Sequence, residues 1–210
     1  MDLDRFRKLP LLGILRGIRE EDVTPLADAV AATGLAAIEI TMNTPNAPAL
    51  IRRLVAESKG RLMVGAGTVL SLHDLDEALA AGATFIVMPT LVADVVERCV
   101  VRKIPAFPGA LTPQEIFNAW QAGATMVKVF PAGSFGPGYF KEVKGPFGDI
   151  ELLACGGVNA ENMSSYFGAG ASAAAFGGSV FRAEWLARRD FQRIGEEVGK
   201  LVDACRAAIA

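Results

Sequence analysis

The sequence predicts an α/β fold, a single (β/α)8 TIM barrel over residues 1–210 with a short N-terminal lead-in segment, and three observations carry that expectation. Eight short apolar runs alternate with helix-length segments along the chain, as parallel strands with crossover helices require. Four of the strand candidates follow the same small motif built on a glycine. Two glycine pairs follow the seventh and eighth runs, where barrel enzymes often hold phosphate.

The eight runs are Leu11–Leu15, Ala37–Ile40, Leu62–Gly65, Phe85–Met88, Pro105–Phe107, Met126–Phe130, Ile150–Leu153 and Ala173–Phe176. The segments between them carry helix signals. Thr112-Pro113-Gln114-Glu115 is the clearest, with an N-cap residue, proline in the first turn and glutamate three residues after the cap. The repeated motif reads Ala-Gly-Ala-Thr or close to it around Gly34, Gly82, Gly123 and Gly170, and each glycine ends a helix before a strand. Their spacings of 48, 41 and 47 residues (34 to 82, 82 to 123, 123 to 170) each span two βα units. The repeat therefore marks strands two, four, six and eight, which favours a closed barrel over an open doubly wound sheet.

The residues five after those glycines are Glu39, Val87, Lys128 and Ala175. Alternate strands of a barrel fill one interior layer together, so a carboxyl and an amine are expected inside the barrel with only apolar layer partners. Burial disfavours the charged form of an amine and makes available the neutral form that attacks a carbonyl; a nearby carboxylate opposes that shift. Glu39 is placed to take and return protons. The competing reading is an inert buried ion pair, a weak source of stability. Lys128 and Glu39 are thus the candidate catalytic pair.

Cys155-Gly156-Gly157 and Phe176-Gly177-Gly178-Ser179 follow strands seven and eight. Glycine lets backbone N–H groups approach an anion closely, so Gly156, Gly157, Gly177, Gly178 and Ser179 are candidate phosphate ligands. Thr68, in Gly65-Ala66-Gly67-Thr68-Val69, would turn a hydroxyl toward the cavity and suit a carboxylate. Arg16 closes the first strand as a charge inside an apolar run and suits substrate oxygens. Pro89 and Phe130, at the ends of strands four and six, shape the cavity.

The composition narrows the classes. The chain has 21 basic and 23 acidic side chains with no long run of one sign, so no nucleic-acid footprint is expected. No signal peptide or membrane-length apolar run is read, and a cytoplasmic protein is expected. The lone histidine, His73, falls at a helix start and is expected to face solvent. With one histidine and three scattered cysteines, Cys99, Cys155 and Cys205, neither a histidine-ligated metal nor a Ser-His triad has the material it needs. The chemistry is expected to use no metal and no cofactor, and the thiols to be reduced and buried.

Gly65-Ala66-Gly67-Thr68-Val69, Val127-Lys128-Val129-Phe130-Pro131, Gly156-Gly157-Val158 and Gly177-Gly178-Ser179, in that order, resemble the bacterial 2-keto-3-deoxy-6-phosphogluconate and 2-dehydro-3-deoxy-6-phosphogalactonate aldolase family. The likeness runs from about Leu9 to Phe181. It implies a Schiff base between Lys128 and the 2-keto carbon, Glu39 as general acid/base, Thr68 with nearby backbone on the pyruvate carboxylate, and the glycine pairs with Ser179 on the phosphate. It implies a homotrimer as well. Glu39-Ile40-Thr41-Met42-Asn43-Thr44-Pro45 resembles the galactonate branch, which has Asn followed by Ser or Thr and Pro where gluconate-type members carry an arginine. Ile14-Leu15-Arg16-Gly17-Ile18 and Ser134-Phe135-Gly136-Pro137 point the same way. Thr41 instead matches the gluconate pattern, and Cys155 stands where many gluconate-type members have threonine. The expected activity is cleavage of the phosphorylated galactonate derivative to pyruvate and D-glyceraldehyde 3-phosphate. The alternatives are the gluconate epimer, a broader 2-keto acid aldolase, or a non-catalytic barrel that binds a phosphorylated ligand.

Overall fold

Successive residues of a strand face opposite sides, and in β1 (Leu11–Leu15) that alternation separates two apolar cores. The computed structural model describes residues 1–210. Leu11 and Leu15 point outward into a 56-residue layer between sheet and helices. Leu12 points inward, into a smaller 13-residue core that fills the barrel axis.

The remaining strands are β2 (Ala37–Thr41), β3 (Met63–Gly67), β4 (Ile86–Val87), β5 (Ala106–Phe107), β6 (Gly109–Ala110), β7 (Val127–Val129), β8 (Leu152–Cys155) and β9 (Ala173–Phe176). They form one sheet in the order β5-β4-β3-β2-β1-β9-β8-β7-β6, with every pairing parallel. The two ends of that order are consecutive pieces of chain, so the sheet closes on itself and the eight-stranded expectation holds. The fifth strand is split at Pro108, which has no N–H to donate. Its carbonyl still accepts from Lys128 N at 2.8 Å, so the closure is hydrogen-bonded across the break.

Most strand ends shift by one or two residues from the sequence reading, and two of the shifts have a visible cause. β3 continues to Gly67 because β2 pairs with it through Glu39↔Gly65 and Thr41↔Gly67, although glycine carries no strand signal of its own. The seventh strand begins at Leu152 rather than Ile150; Glu151 turns outward to an ion pair with Arg7 at 3.0 Å.

The helices are α1 (Leu3–Lys8), α2 (Val23–Ala32), α3 (Ala47–Ser58), α4 (Leu72–Ala80), α5 (Ala93–Val101), α6 (Pro113–Gln121), α7 (Gly136–Lys144), α8 (Met163–Gly168), α9 (Ala183–Arg188) and α10 (Phe191–Ile209). At the start of α6, Thr112 Oγ1 accepts from Glu115 N at 3.3 Å and the Glu115 carboxylate accepts from Thr112 N at 2.8 Å, the reciprocal cap that the sequence predicts. The repeated glycines stand one residue beyond the C-caps of α2, α4, α6 and α8 with φ of 86°, 96°, 99° and 98°. This left-handed conformation is the usual helix stop before a strand.

The lead-in segment plugs one end of the barrel. Phe6 of α1 is fully buried in the axial core, 6.2 Å from the Phe107 ring centroid, and Phe85 meets Phe107 edge-on at 6.0 Å. That is the N-terminal mouth; the loops after the strands surround the other. His73 faces solvent, 80 % exposed, and all three cysteines are free and buried. No helix is long and apolar enough to cross a membrane.

Gly82→Ala tests the helix-stop argument, because the added Cβ meets only Val55 at an ordinary 3.5 Å while φ stays at +96°. Backbone strain alone should then lower unfolding free energy by about 1–2 kcal/mol in urea titrations. An unchanged midpoint would mean that the turn relaxes freely.

Candidate active site

Glu39 lies at the middle of β2 and Lys128 at the middle of β7, each pinned by strand pairing on both sides: Ile14 and Gly65 flank Glu39, Gly109 and Leu153 flank Lys128. Both side chains turn into the barrel and are 1 % and 7 % exposed. Val87 and Ala175, the other two members of the predicted layer, belong to the axial core as well. The four positions that follow the glycine motif therefore do point to the same interior.

The Glu39 carboxyl has little to lean on. Its Oε2 is buried with no hydrogen-bond partner. Burial pushes its pKa from 4.5 up to about 7, against the opposing pull of Lys128 and then Arg16. A carboxyl with that affinity is divided between its acid and base forms near neutrality, as a proton shuttle should be. The Cys155 thiol, on β8, shares the chamber; burial raises its pKa while Lys128 opposes and Glu39 adds to the rise.

Gly67 explains how the carboxyl fits. A Cβ at that position would come within 2.2 Å of Glu39 Oε1, so the missing side chain is the space the carboxylate occupies. The next residue, Thr68, has φ +55°, a left-handed conformation that β-branched residues rarely adopt. Its hydroxyl makes no hydrogen bond within the protein, and Val69 N, next in sequence, donates to Val87 O at 3.3 Å.

Above the pair, at the C-terminal mouth, opens a cavity of about 750 Å³ lined by Arg16, Phe130, Cys155, Gly156, Gly157, Asn159, Gly177, Gly178, Ser179 and neighbours. The Lys128 ammonium lies 5.3 Å from the Phe130 ring centroid, which connects the barrel interior to this wall. Gly156 and Gly157 have φ of +92° and +83°. Gly133 N donates to Gly156 O at 2.7 Å, and Asn162 Nδ2 donates to Gly157 O at 2.9 Å, so the loop is held from both sides. On the opposite loop a Cβ at Gly178 would meet nothing within 4 Å; the backbone there is open to a ligand. No three His, Cys, Asp or Glu side chains are grouped to hold a metal.

Of the candidate residues, Arg16, Phe130, both glycine pairs and Ser179 thus meet around one cavity, with Lys128 and Glu39 beneath it. Thr68 is not in that lining. Pro89 lines a separate hollow of about 170 Å³ with Gly109, Asn118 and the far side of Phe130, so Phe130 is the wall between the two. The sequence reading gave Cys155, Gly67 and Asn159 no place in the site. Asn159 had a signal in its spacing to Asn162: its Oδ1 accepts from Asn162 N at 3.0 Å while Asn162 Oδ1 accepts from Asn159 N at 2.8 Å.

The model for the aldolase family of KDPG and KHG aldolases matches residues 3–197. The chain belongs to that family. It is 34 % identical over 203 residues to 2-dehydro-3-deoxy-6-phosphogalactonate aldolase of Escherichia coli K12, covering 96 % of this chain and 97 % of that protein. It is 38 % identical over 161 residues to 2-dehydro-3-deoxy-phosphogluconate aldolase of Pseudomonas aeruginosa PAO1, covering 76 % and 73 %. Among solved structures, the native KDPGal structure superposes with a TM-score of 0.90 at 34 % identity, over 96 % of this chain and 97 % of that one. The aldolase family is thus matched both in sequence along nearly the whole chain and in backbone.

The raised Glu39 pKa carries a stability consequence. Between about 4.5 and 7 the folded state holds a proton that the unfolded state has lost, so this residue's contribution declines as pH rises through that window and is constant above it. Glu39→Gln removes the decline. Its stability relative to the parent protein should improve by about 2–3 kcal/mol between pH 5 and pH 8 in denaturant titrations. A pH-independent difference would contradict the burial argument.

Proposed function

We propose that this chain cleaves 2-dehydro-3-deoxy-6-phosphogalactonate to pyruvate and D-glyceraldehyde 3-phosphate through an imine on Lys128, without metal or organic cofactor. The observation that carries the reading is the buried, unpartnered Glu39 carboxyl beside Lys128 beneath a cavity whose far wall is two glycine loops.

In the proposed reaction the neutral Lys128 amine attacks C2, and Glu39 passes the protons that convert the carbinolamine to an iminium with loss of water. The Glu39 carboxylate then takes the C4 hydroxyl proton, directly or through water. The C3–C4 bond breaks, its electron pair flows into the iminium, and glyceraldehyde 3-phosphate leaves. Protonation of the enamine at C3 and hydrolysis release pyruvate and the free lysine. The iminium is the electron sink, so the cleavage needs no metal. Gly156, Gly157, Gly177, Gly178 and Ser179 receive the phosphate, Thr68 with adjacent backbone the carboxylate, and Arg16 substrate oxygens, while Phe130 walls the cavity off from the hollow that Pro89 lines. A phosphate fixed at the far wall holds the scissile bond against Lys128, which lends remote binding energy to the reacting centre. The reading takes residues 1–210 as one catalytic domain of a cytoplasmic protein that assembles as a homotrimer, the last as the family resemblance implies.

Incubation with pyruvate and borohydride, followed by peptide mass spectrometry, should find one reduced adduct, on Lys128. No adduct, or labelling of Lys141 or Lys144 instead, would remove the imine mechanism and leave a barrel that only binds a phosphorylated ligand.

A second reading, the gluconate epimer, is favoured by the 38 % identity to the Pseudomonas enzyme and by Thr41. The epimers differ at C4, so steady-state assays on both phosphates discriminate. The galactonate epimer should have a kcat/KM at least about tenfold higher, equivalent to roughly 1.4 kcal/mol in the transition state; the reverse ratio would transfer the assignment.

A further inference from the structure

Arg16 faces the cavity, yet it forms no hydrogen bond or salt bridge with any protein group. With no partner holding the guanidinium, the direction of the Arg16 Cα–Cβ bond, which the backbone sets, is what the fold contributes to its placement. The residue after it, Gly17, has φ +73°, and a Cβ there would meet nothing within 4 Å. Conformation rather than crowding accounts for glycine at this position.

The Gly17 N–H donates to Thr44 Oγ1 at 3.2 Å. Thr44 comes from the loop after β2, is 4 % exposed, and its hydroxyl lies 3.1 Å from that of Thr41, which is 1 % exposed. Thr41 ends β2, two residues beyond Glu39 and on the same face of the strand. The loop between them is itself fixed: Thr44 N donates to Thr41 O at 2.9 Å and Met42 N to Gly67 O at 2.7 Å. A continuous hydrogen-bonded path therefore runs from the strand that carries the buried carboxyl to the loop that carries the free guanidinium.

We propose that Thr44 is a positioning residue that aims Arg16 into the cavity through the Gly17 amide, with Thr41 orienting the Thr44 hydroxyl. The assignment rests on the reading of this cavity as the seat of the phosphorylated keto acid and its aldehyde product. Valine has the shape of threonine without the hydroxyl, so Thr44→Val leaves packing in place and strands the Gly17 N–H. The expected effect is about a tenfold weaker affinity for the phosphorylated ligand, the size of one lost hydrogen bond.

The test is a double-mutant cycle with Thr44→Val and Arg16→Ala, read by calorimetric titration with D-glyceraldehyde 3-phosphate and by the steady-state constants for cleavage. Thr44→Val should raise Kd and KM about tenfold, change kcat less than twofold, and leave trapping of pyruvate on Lys128 intact. Thr44→Ser should restore the parent values. In the Arg16→Ala background Thr44→Val should change nothing further. Equal effects in both backgrounds, or no effect in the parent, would overturn the proposal. If Thr44→Val does not fold, Thr41→Val enters the same cycle, with a shift of about threefold expected only when Arg16 is present. Absence of the borohydride adduct in the parent protein would sink the imine mechanism alone, since the binding cycle requires no turnover.

Discussion

The constraint on which this molecule turns is a carboxyl placed inside a closed barrel with no hydrogen bond to one of its oxygens. Leaving a buried polar atom unpaired costs about 1–3 kcal/mol, and sequences usually avoid it. Here the fold tolerates it because both neighbours of β2 are bonded to it along its length, so Glu39 has no alternative outward position. Its own layer supplies Val87 and Ala175, which cannot solvate a charge. The result is a carboxyl whose proton affinity sits near neutrality, bought with local instability. Lys128 is held the same way on the other side of the axis, with its amide donating to the carbonyl at the break in the fifth strand. No salt bridge joins the two groups; a substrate that reaches both is what would complete the contact.

The two mouths of the barrel divide the work. At one, Phe6 packs tilted and Phe85 edge-on against Phe107, and the three buried rings close the axis. At the other, the chain repeatedly spends residues that carry no side chain. Gly67 gives its volume to the carboxylate, and Gly178 leaves its backbone open toward the cavity. Rigidity is recovered by a bond between loops, Gly133 to Gly156, and one within the loop after β8, Asn162 to Gly157. Bare backbone donors held in fixed positions stabilise an anion without the entropy loss of ordering long side chains.

Much of this was legible because it is periodic. The glycine motif at Gly34, Gly82, Gly123 and Gly170 records a helix stop, and counting five residues on reaches the interior of four alternate strands. That arithmetic finds Glu39 and Lys128 without any catalytic motif. Features that depend on contacts between distant segments left no such trace. Gly67 reads as ordinary mouth packing until the carboxylate of another strand is seen in its place. The break at Pro108 is invisible from Pro105-Ala106-Phe107, since closure depends on a carbonyl meeting Lys128 across the sheet. The left-handed φ of Thr68 contradicts local propensity altogether. Thr44 stood in the sequence only as part of Asn43-Thr44-Pro45; its contact is with a glycine amide 27 residues away.

The arrangement of charge around the first loop completes the physical picture. Asp22, 1 % exposed, pairs with Arg19 at 2.8 Å and with Arg189 at 3.0 Å. The second oxygen meets Arg189 at ion-pair distance but without hydrogen-bond alignment. Asp22 thereby compensates two guanidiniums at this corner and leaves Arg16 uncompensated. The field of Arg16 reaches Glu39 and pulls its pKa down, against the larger effect of burial. An anion seated beside Arg16 would cancel part of that pull and raise the proton affinity of Glu39 while the ligand is bound. Of the three guanidiniums at this corner, Arg16 is the one left for an anionic ligand to neutralise.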